Sequence, residues 1–336
     1  MKILVSGGAG YIGSTVVSAL ADGGAKPVVL DSLIQGRADF VAGHPIYVGD
    51  MADEALLDRI FDDHPDIKVL IHFAALIDVA ESMQMPARYY TENLMKPTVL
   101  LQKVLARGVT RIIFSSTAAV YQGGTGSQGL TEAAALEPQS PYARSKLMFE
   151  SILADICTQT GAVAVALRYF NPVGADPAFR SGPYKSDPSH ILGKLTKLAR
   201  VGDGEFVING DDYPTRDGTP VRDYIHVWDL ARAHLAALEF ALYTQSPGCT
   251  VINIGSGSGV TVREFVDAFQ SVTGLALAVR VGERRPGDNA GAYADTSRAT
   301  QLLNWTPQLT LDQGIRDAMS WERRWKILQS SGTVEQ

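Results

Sequence analysis

The chain has 336 residues, 46% of them apolar and 20% charged, and a formal net charge of −6 at neutral pH. That length suits about two domains with a sizeable core, and the composition is that of an ordinary globular protein. Scattered Lys and Arg on a net negative chain speak against a nucleic-acid surface, and no apolar run approaches the roughly 20 residues that cross a bilayer.

Ile3–Ser6 is an apolar run, expected as the first strand, and it breaks into Gly7-Gly-Ala-Gly10-Tyr11-Ile12-Gly13. The N-terminus enters this glycine turn within six residues, so no signal peptide is expected and the expected location is the cytoplasm. Further strands are expected at Val28–Leu30, Ile46–Val48, Val69–Phe73, Arg111–Ser115 and Ala162–Arg168. Most of these runs are apolar throughout, as parallel strands covered on both faces should be. The segments between them can hold crossover helices, and Ala52–Asp62 has helical apolar spacing. Strand–helix alternation predicts an α/β fold, a doubly wound parallel sheet of Rossmann type with right-handed crossovers.

The character of the chain changes after Asn171. Asn171–Gly174 and Asp176–Pro188 carry repeated prolines and read as loop, and Asn209–Pro220 is a second irregular stretch. A helix from about Val227 and a strand Val251–Ile254 can return to the first sheet. The expected division is therefore discontinuous. Residues 1–172 plus about 222–255 form a dinucleotide-binding domain, and about 173–221 plus 256–336 form a smaller C-terminal α/β lobe for substrate. Cys157 and Cys249 offer neither a disulfide framework nor a metal-ligand spacing. Each is expected as a buried reduced thiol, and no metal site is expected.

The glycines Gly7, Gly10 and Gly13 stand where the first strand should turn into the first helix. That spacing lets backbone approach a pyrophosphate seated at a helix N-terminus. Asp31, at the end of the second strand, can accept hydrogen bonds from both adenosine ribose hydroxyls and would repel a 2′-phosphate, which favours NAD over NADP. Asp50 follows the third strand and is placed to meet the adenine edge. Downstream, Ser140-Pro141 reads as an N-cap followed by Pro at the first helical position, so Tyr142 and Lys146 share one helix face. A tyrosine ionises near pH 10, and lowering that by about three units takes about 4 kcal/mol of differential stabilisation. Lys146 and a positive nicotinamide ring can share that task. Ser115-Ser116-Thr117 supplies a hydroxyl at the carboxyl edge of the sheet, where ligands bind in open α/β folds.

Five words carry a resemblance over most of the chain: Ser6–Gly13, His72-Phe-Ala-Ala75, Pro138–Lys146, Arg168–Ala175 and Asp211–His226. The chain resembles the extended short-chain dehydrogenase/reductase superfamily and, within it, the UDP-glucose 4-epimerase family. The resemblance implies that Tyr142 takes the proton from sugar O4 while C4 gives its hydride to tightly bound NAD. The 4-keto sugar then turns over and is reduced on its other face. It implies that Thr117 holds O4 and that Lys146 holds the nicotinamide ribose and depresses the Tyr142 phenol. Cofactor contacts fall, by the same resemblance, on the glycine turn with Tyr11 and Ile12, on Asp31, Asp50, Met51, Phe73, Ala74, Ala75, Asn93, Ser115 and Phe170. The UDP-sugar would meet Asn171, His190, Ile191, Asn209, Arg222, Arg285, Asp288 and Ala292. A homodimer is implied, pairing through helices that include the Tyr-Lys helix.

The sequence departs from this pattern at Thr117, where Ser is more usual, and at Asn209, where an aromatic beside the uracil is common. It also departs in the glycine-rich stretch Gln122–Gly129, expected as a loop at the site mouth. Ala292 stands where many relatives carry Tyr, and a small residue there leaves room for a 2-acetamido group, so UDP-GlcNAc and UDP-GalNAc are expected as additional substrates. A 4,6-dehydratase would need an Asp-Glu pair at Ala118-Ala119. Epimerases of UDP-glucuronate or UDP-pentoses and an idle NAD-binding regulator are the remaining alternatives.

Overall fold

The structure, a computed structural model, describes residues 1–202, 204–284 and 289–330. The chain begins β1 (Lys2–Ser6), α1 (Tyr11–Asp22), β2 (Lys26–Asp31), β3 (Ile46–Val48), α2 (Glu54–Asp63) and β4 (Ile67–His72). Helices α3 (Val79–Gln84) and α4 (Pro86–Tyr90) then pass through a π-helical turn, Thr91–Met95, into α5 (Lys96–Ala106). Next come β5 (Arg111–Thr117), β6 (Thr125–Leu130), α6 (Pro141–Thr160), β7 (Val163–Tyr169) and β8 (Asn171–Val173). They are followed by α7 (Ile191–Val201), β9 (Glu205–Asn209), β10 (Val221–His226), α8 (Val227–Tyr243) and β11 (Gly248–Ile254). The last elements are β12 (Gly259–Thr261), α9 (Val262–Thr273), β13 (Ala278–Gly282), β14 (Gly291–Ala294), α10 (Ser297–Leu303) and α11 (Leu311–Ser330).

Seven parallel strands form the main sheet in the order β11-β7-β5-β4-β1-β2-β3. Alternate residues of each strand enter opposite cores, which is why the runs are apolar throughout. Ile3, Val5, Ile113, Val165 and Leu167 pack with Val16, Val17 and Leu20 of α1 and with Leu230 and Ala237 of α8. Leu4, Ile112, Phe114, Ala164 and Ala166 pack on the other face with Leu57 and Ile60 of α2, Leu100 of α5 and Phe149 and Leu153 of α6. The fold is thus α/β and doubly wound, with the strand order reversing between β1 and β4, where ligands bind in such sheets.

A second sheet has the order β12-β10-β14-β6 with β8 alongside β10, and β13 pairs with β9 in a third. A separate core lies beneath, holding Leu192 and Leu195 of α7, Phe206, Tyr224, Phe265 and Phe269 of α9, and Ile315 of α11.

Several elements differ from the sequence reading. Helix α2 starts at Glu54 because Asp53 caps it, its side chain accepting from Leu56 N. The stretch after Gln122 is a strand, not a loop. β6 runs parallel to β14, and its glycines allow the approach: a Cβ on Gly124 would lie 2.8 Å from Gly291 O, and one on Gly129 would lie 3.1 Å from Asp295 N. Cys157 is a buried free thiol, whereas Cys249, near the start of an edge strand, is only partly buried. No helix among the described residues is long and apolar enough to cross a membrane.

Candidate active site

The glycine turn leaves no room for side chains. Gly7 adopts φ +74°, and a Cβ on it would lie 2.4 Å from Ala74 N. A Cβ on Gly13 would lie 2.2 Å from Gly7 O. Gly10 starts α1 with no side-chain cap and no acidic residue in the first turn, so the partial positive charge of the helix end is not neutralised locally. Tyr11 donates to Gly174 O at 2.7 Å, joining α1 to the chain beyond β8, while Ile12 packs against the α1 core. Asp31 is 7% exposed, and its two oxygens accept from Ala9 N and Leu33 N at 2.9 Å. Burial raises its pKa against the pull of those bonds. These features fit a dinucleotide: a cradle closed to side chains, a helix N-terminus for the pyrophosphate and a fixed carboxylate for the ribose.

Two expected contacts are engaged elsewhere in the chain. Asp50 accepts from Lys96 Nζ at 2.6 Å and from Ala52 N at 2.9 Å, so an ion pair to the first residue of α5 holds it, with Met51 beside it packed on the α2–α5 core. Asn93, 2% exposed, has its amide bound to both polar groups of Leu76 and to Ser145 Oγ. Its side chain pins the segment after Phe73, Ala74 and Ala75. Phe73 packs on His234, Ala74 N donates to Ser6 O at 3.1 Å, and Phe170 is 8% exposed with its N–H on Ile254 O.

Helix α6 begins as its sequence requires. Ser140 Oγ accepts from Ala143 N at 3.1 Å and Pro141 holds the first helical position. Tyr142 and Lys146 then face β5. The Thr117 hydroxyl, which accepts from Ala119 N at 3.2 Å, neighbours the Tyr142 phenol and favours its ionised form. Lys146, 2% exposed, donates to Ser115 O at 2.8 Å with its ammonium 4.8 Å from the centroid of the Phe114 ring. The Tyr169 hydroxyl is hydrogen-bonded to His234 Nε2. Burial raises the Tyr142 pKa while the Thr117 hydroxyl draws it down, and burial brings Lys146 down to about 7 against the opposing charge of Glu150. Within the chain alone, the pull of Thr117 on the phenol is smaller than the push of burial. Desolvation outweighs the pairing. His72, stacked on Phe114 and in contact with Ser6 Oγ, is pushed down to about 3 by burial and by the Lys146 charge, so it is neutral.

The sheet leads from this point to a pocket of about 260 Å³. Thr117 and Tyr169 are register partners, and two residues beyond Tyr169 the chain enters β8 alongside β10. Asn171, His190, Ile191, Asn209 and Arg222 line the pocket together, with Lys194, Phe206 and Tyr224 among the residues not foreseen from the sequence. Ala292 is the register partner of Arg222 across β10 and β14. Arg285 and Asp288 lie outside the described residues. A larger groove of about 640 Å³ between α8 and residues 302–308 shares no residue with this site. Also unforeseen is the buried cluster of Ser116, Tyr121, Glu150, Arg168 and Asn253 beneath Lys146. Its signal in the sequence was Glu150 standing four residues after Lys146.

Residues 3–255 match the NAD dependent epimerase/dehydratase family. The UDP-glucose 4-epimerase of Azospirillum brasilense is 42% identical over 325 residues, covering 96% of this chain and 92% of that protein. A solved UDP-glucose 4-epimerase from Stenotrophomonas maltophila, with bound NAD and formylated UDP-arabinopyranose, superposes with a TM-score of 0.92 at 35% identity, covering 97% of this chain and 99% of that one. The UDP-Glc/GlcNAc 4-epimerase of Campylobacter jejuni gives a TM-score of 0.81 at 35% identity, covering 96% and 99%.

Proposed function

The chain belongs to the NAD dependent epimerase/dehydratase family, and from that premise we propose that it is a UDP-hexose 4-epimerase using tightly bound NAD, an isomerase interconverting UDP-glucose and UDP-galactose. One observation carries the reading: Tyr142 and Lys146 stand one helical turn apart on α6 against the end of β5, where Thr117 neighbours the phenol and Lys146 donates to Ser115 O at 2.8 Å. Bound NAD supplies a reversible acceptor for the hydrogen on sugar C4. Tyr142 takes the O4 proton as C4 is oxidised and returns it when C4 is reduced from the other face. Thr117 holds O4 and the phenol in one line, and Lys146 presents a positive charge to that proton transfer. The nucleotide occupies the pocket of Asn171, His190, Ile191, Asn209 and Arg222, whose guanidinium suits a diphosphate.

The main sheet with α8 and β11 would hold the dinucleotide and the smaller sheets the sugar nucleotide, with β10 joining the two. A homodimer would form through α6 and its neighbours, where Met83, Met95 and Met148 are exposed. Purified protein given UDP-galactose without added dinucleotide should yield UDP-glucose on chromatography. Conversion of neither UDP-galactose, UDP-GalNAc nor UDP-glucuronate would refute the assignment.

A second reading extends the substrate range to N-acetylated sugars. Ala292 lies beside Arg222, and a Cβ on Gly124 would lie only 3.2 Å from the Ala292 Cβ, so two small residues meet there. Ala292→Tyr should cut UDP-GalNAc turnover about tenfold relative to UDP-galactose, as a steric block of about 1.4 kcal/mol would. An unchanged ratio would dismiss the extension.

A further inference from the structure

Beneath Tyr142 and Lys146 lies a buried ionic network that the reaction as described leaves unused. Arg168 of β7 grips Glu150 of α6 at two points, Nε on Oε1 at 3.0 Å and Nη2 on Oε2 at 2.6 Å. Ser116 Oγ donates to Glu150 Oε1. The third Arg168 nitrogen donates to Tyr121 OH at 2.9 Å, and that hydroxyl donates to Asn253 Oδ1 at 2.6 Å. Glu150 is 5% exposed and Arg168 3%. A buried pair of this kind adds little net stability, because desolvating two charges consumes most of their attraction.

Its position is more informative. Ser116 lies between Ser115, whose carbonyl oxygen accepts from Lys146 at 2.8 Å, and Thr117, which neighbours the Tyr142 phenol. Ser116 and Arg168 are register partners across β5 and β7. Tyr142, Lys146 and Glu150 follow one another at helical spacing on α6. We propose that Glu150 is a positioning residue for the Tyr142–Lys146 pair. Anchored by Arg168, it ties the end of β5 to α6 and fixes a buried negative charge one turn beyond the lysine.

Lys146 meets Ser115 O and the Phe114 ring, and the titratable groups whose charge it feels are His72 of β4 and Glu150 of α6. His72 is neutral, and burial raises Tyr142 of α6 and Tyr169 of β7. Glu150 is the group whose charge opposes the loss of the Lys146 proton. Without that charge the ammonium should deprotonate at lower pH.

The proposal rests on Tyr142 and Lys146 being the proton-handling pair, so Tyr142→Phe is measured alongside. Glu150→Gln leaves Arg168 buried and uncompensated and is expected to fold poorly, so the double variant Glu150→Gln, Arg168→Met carries the charge test. With fold and bound NAD verified, its alkaline limb of kcat should move down at unchanged KM for UDP-galactose, by less than about one pH unit because the more distant Arg168 charge, which opposes that of Glu150, leaves with it. Ser116→Ala keeps both charges and cuts only the tether, and should lower kcat severalfold at unchanged KM. Parent pH dependence in the double variant would overturn the charge role, and parent kcat in Ser116→Ala would overturn the tether. If the double variant also fails to fold, Ser116→Ala decides. If Tyr142→Phe stays active, the functional assignment has failed. If it is inactive while the network variants behave as the parent, only this proposal has failed.

Discussion

The site joins two regions built on different principles. Where the end of β5 meets the first turns of α6, Lys146, Glu150 and His72 are buried and held: Lys146 by Ser115, Glu150 by Arg168 and Ser116, His72 by Ser6. Around β8, β10 and β14 the pocket is open, Asn171 and His190 are exposed, and close strand approach is bridged by glycine. The first region has little freedom, as a proton transfer requires of its donor and acceptor. The second must admit, turn and release a sugar nucleotide. Chemistry and recognition are thus separated, and substitutions on the two sides should separate as well.

The largest effect belongs to the buried side. Tyr142→Phe should lower kcat by about a thousandfold while UDP binding, followed by calorimetry, stays near the parent value. Loss of both would merge the two regions and break the comparison. Arg222→Met should do the reverse, raising KM about tenfold, as loss of one charge-assisted contact does, with kcat little changed. A smaller, graded effect separates the regions by pH. His72 and His234 are fully buried, and burial pushes them down to about 3 and about 4. The unfolded chain binds protons on these rings below about pH 6.5 and the folded chain does not, so stability is lost as pH falls from there. Each histidine should remove about 1.4 kcal/mol per pH unit, visible as a falling urea midpoint between neutral pH and about pH 5. A flat midpoint would contradict the burial of these rings.

The same division governs what could be read from the sequence. The glycine turn, the Ser140–Pro141 helix start and the Tyr142–Lys146 spacing are local patterns with one physical meaning each, and the structure shows them as local geometry. β6 was hidden because Gly123, Gly124, Gly126 and Gly129 signal a turn, and only the nearness of β14, about 165 residues further on, makes them a strand. The pocket draws on segments near residues 171, 190, 209 and 222, which no spacing rule connects. They were legible only through resemblance. The partners that Asp50 and Asn93 have within the chain, Lys96 and Leu76, were likewise not legible, since no spacing rule joins those segments. Glu150 and Arg168 were hidden because buried charges reveal themselves through a partner, and that partner lies on another element.

The central claim is that C4 is oxidised and reduced again within one site, its hydrogen never meeting water. UDP-galactose carrying deuterium at C4, incubated in ordinary water without added dinucleotide, tests it directly. The account predicts UDP-glucose that keeps the deuterium at C4, and no conversion by Tyr142→Phe. Loss of the label to solvent at the rate of inversion would contradict it.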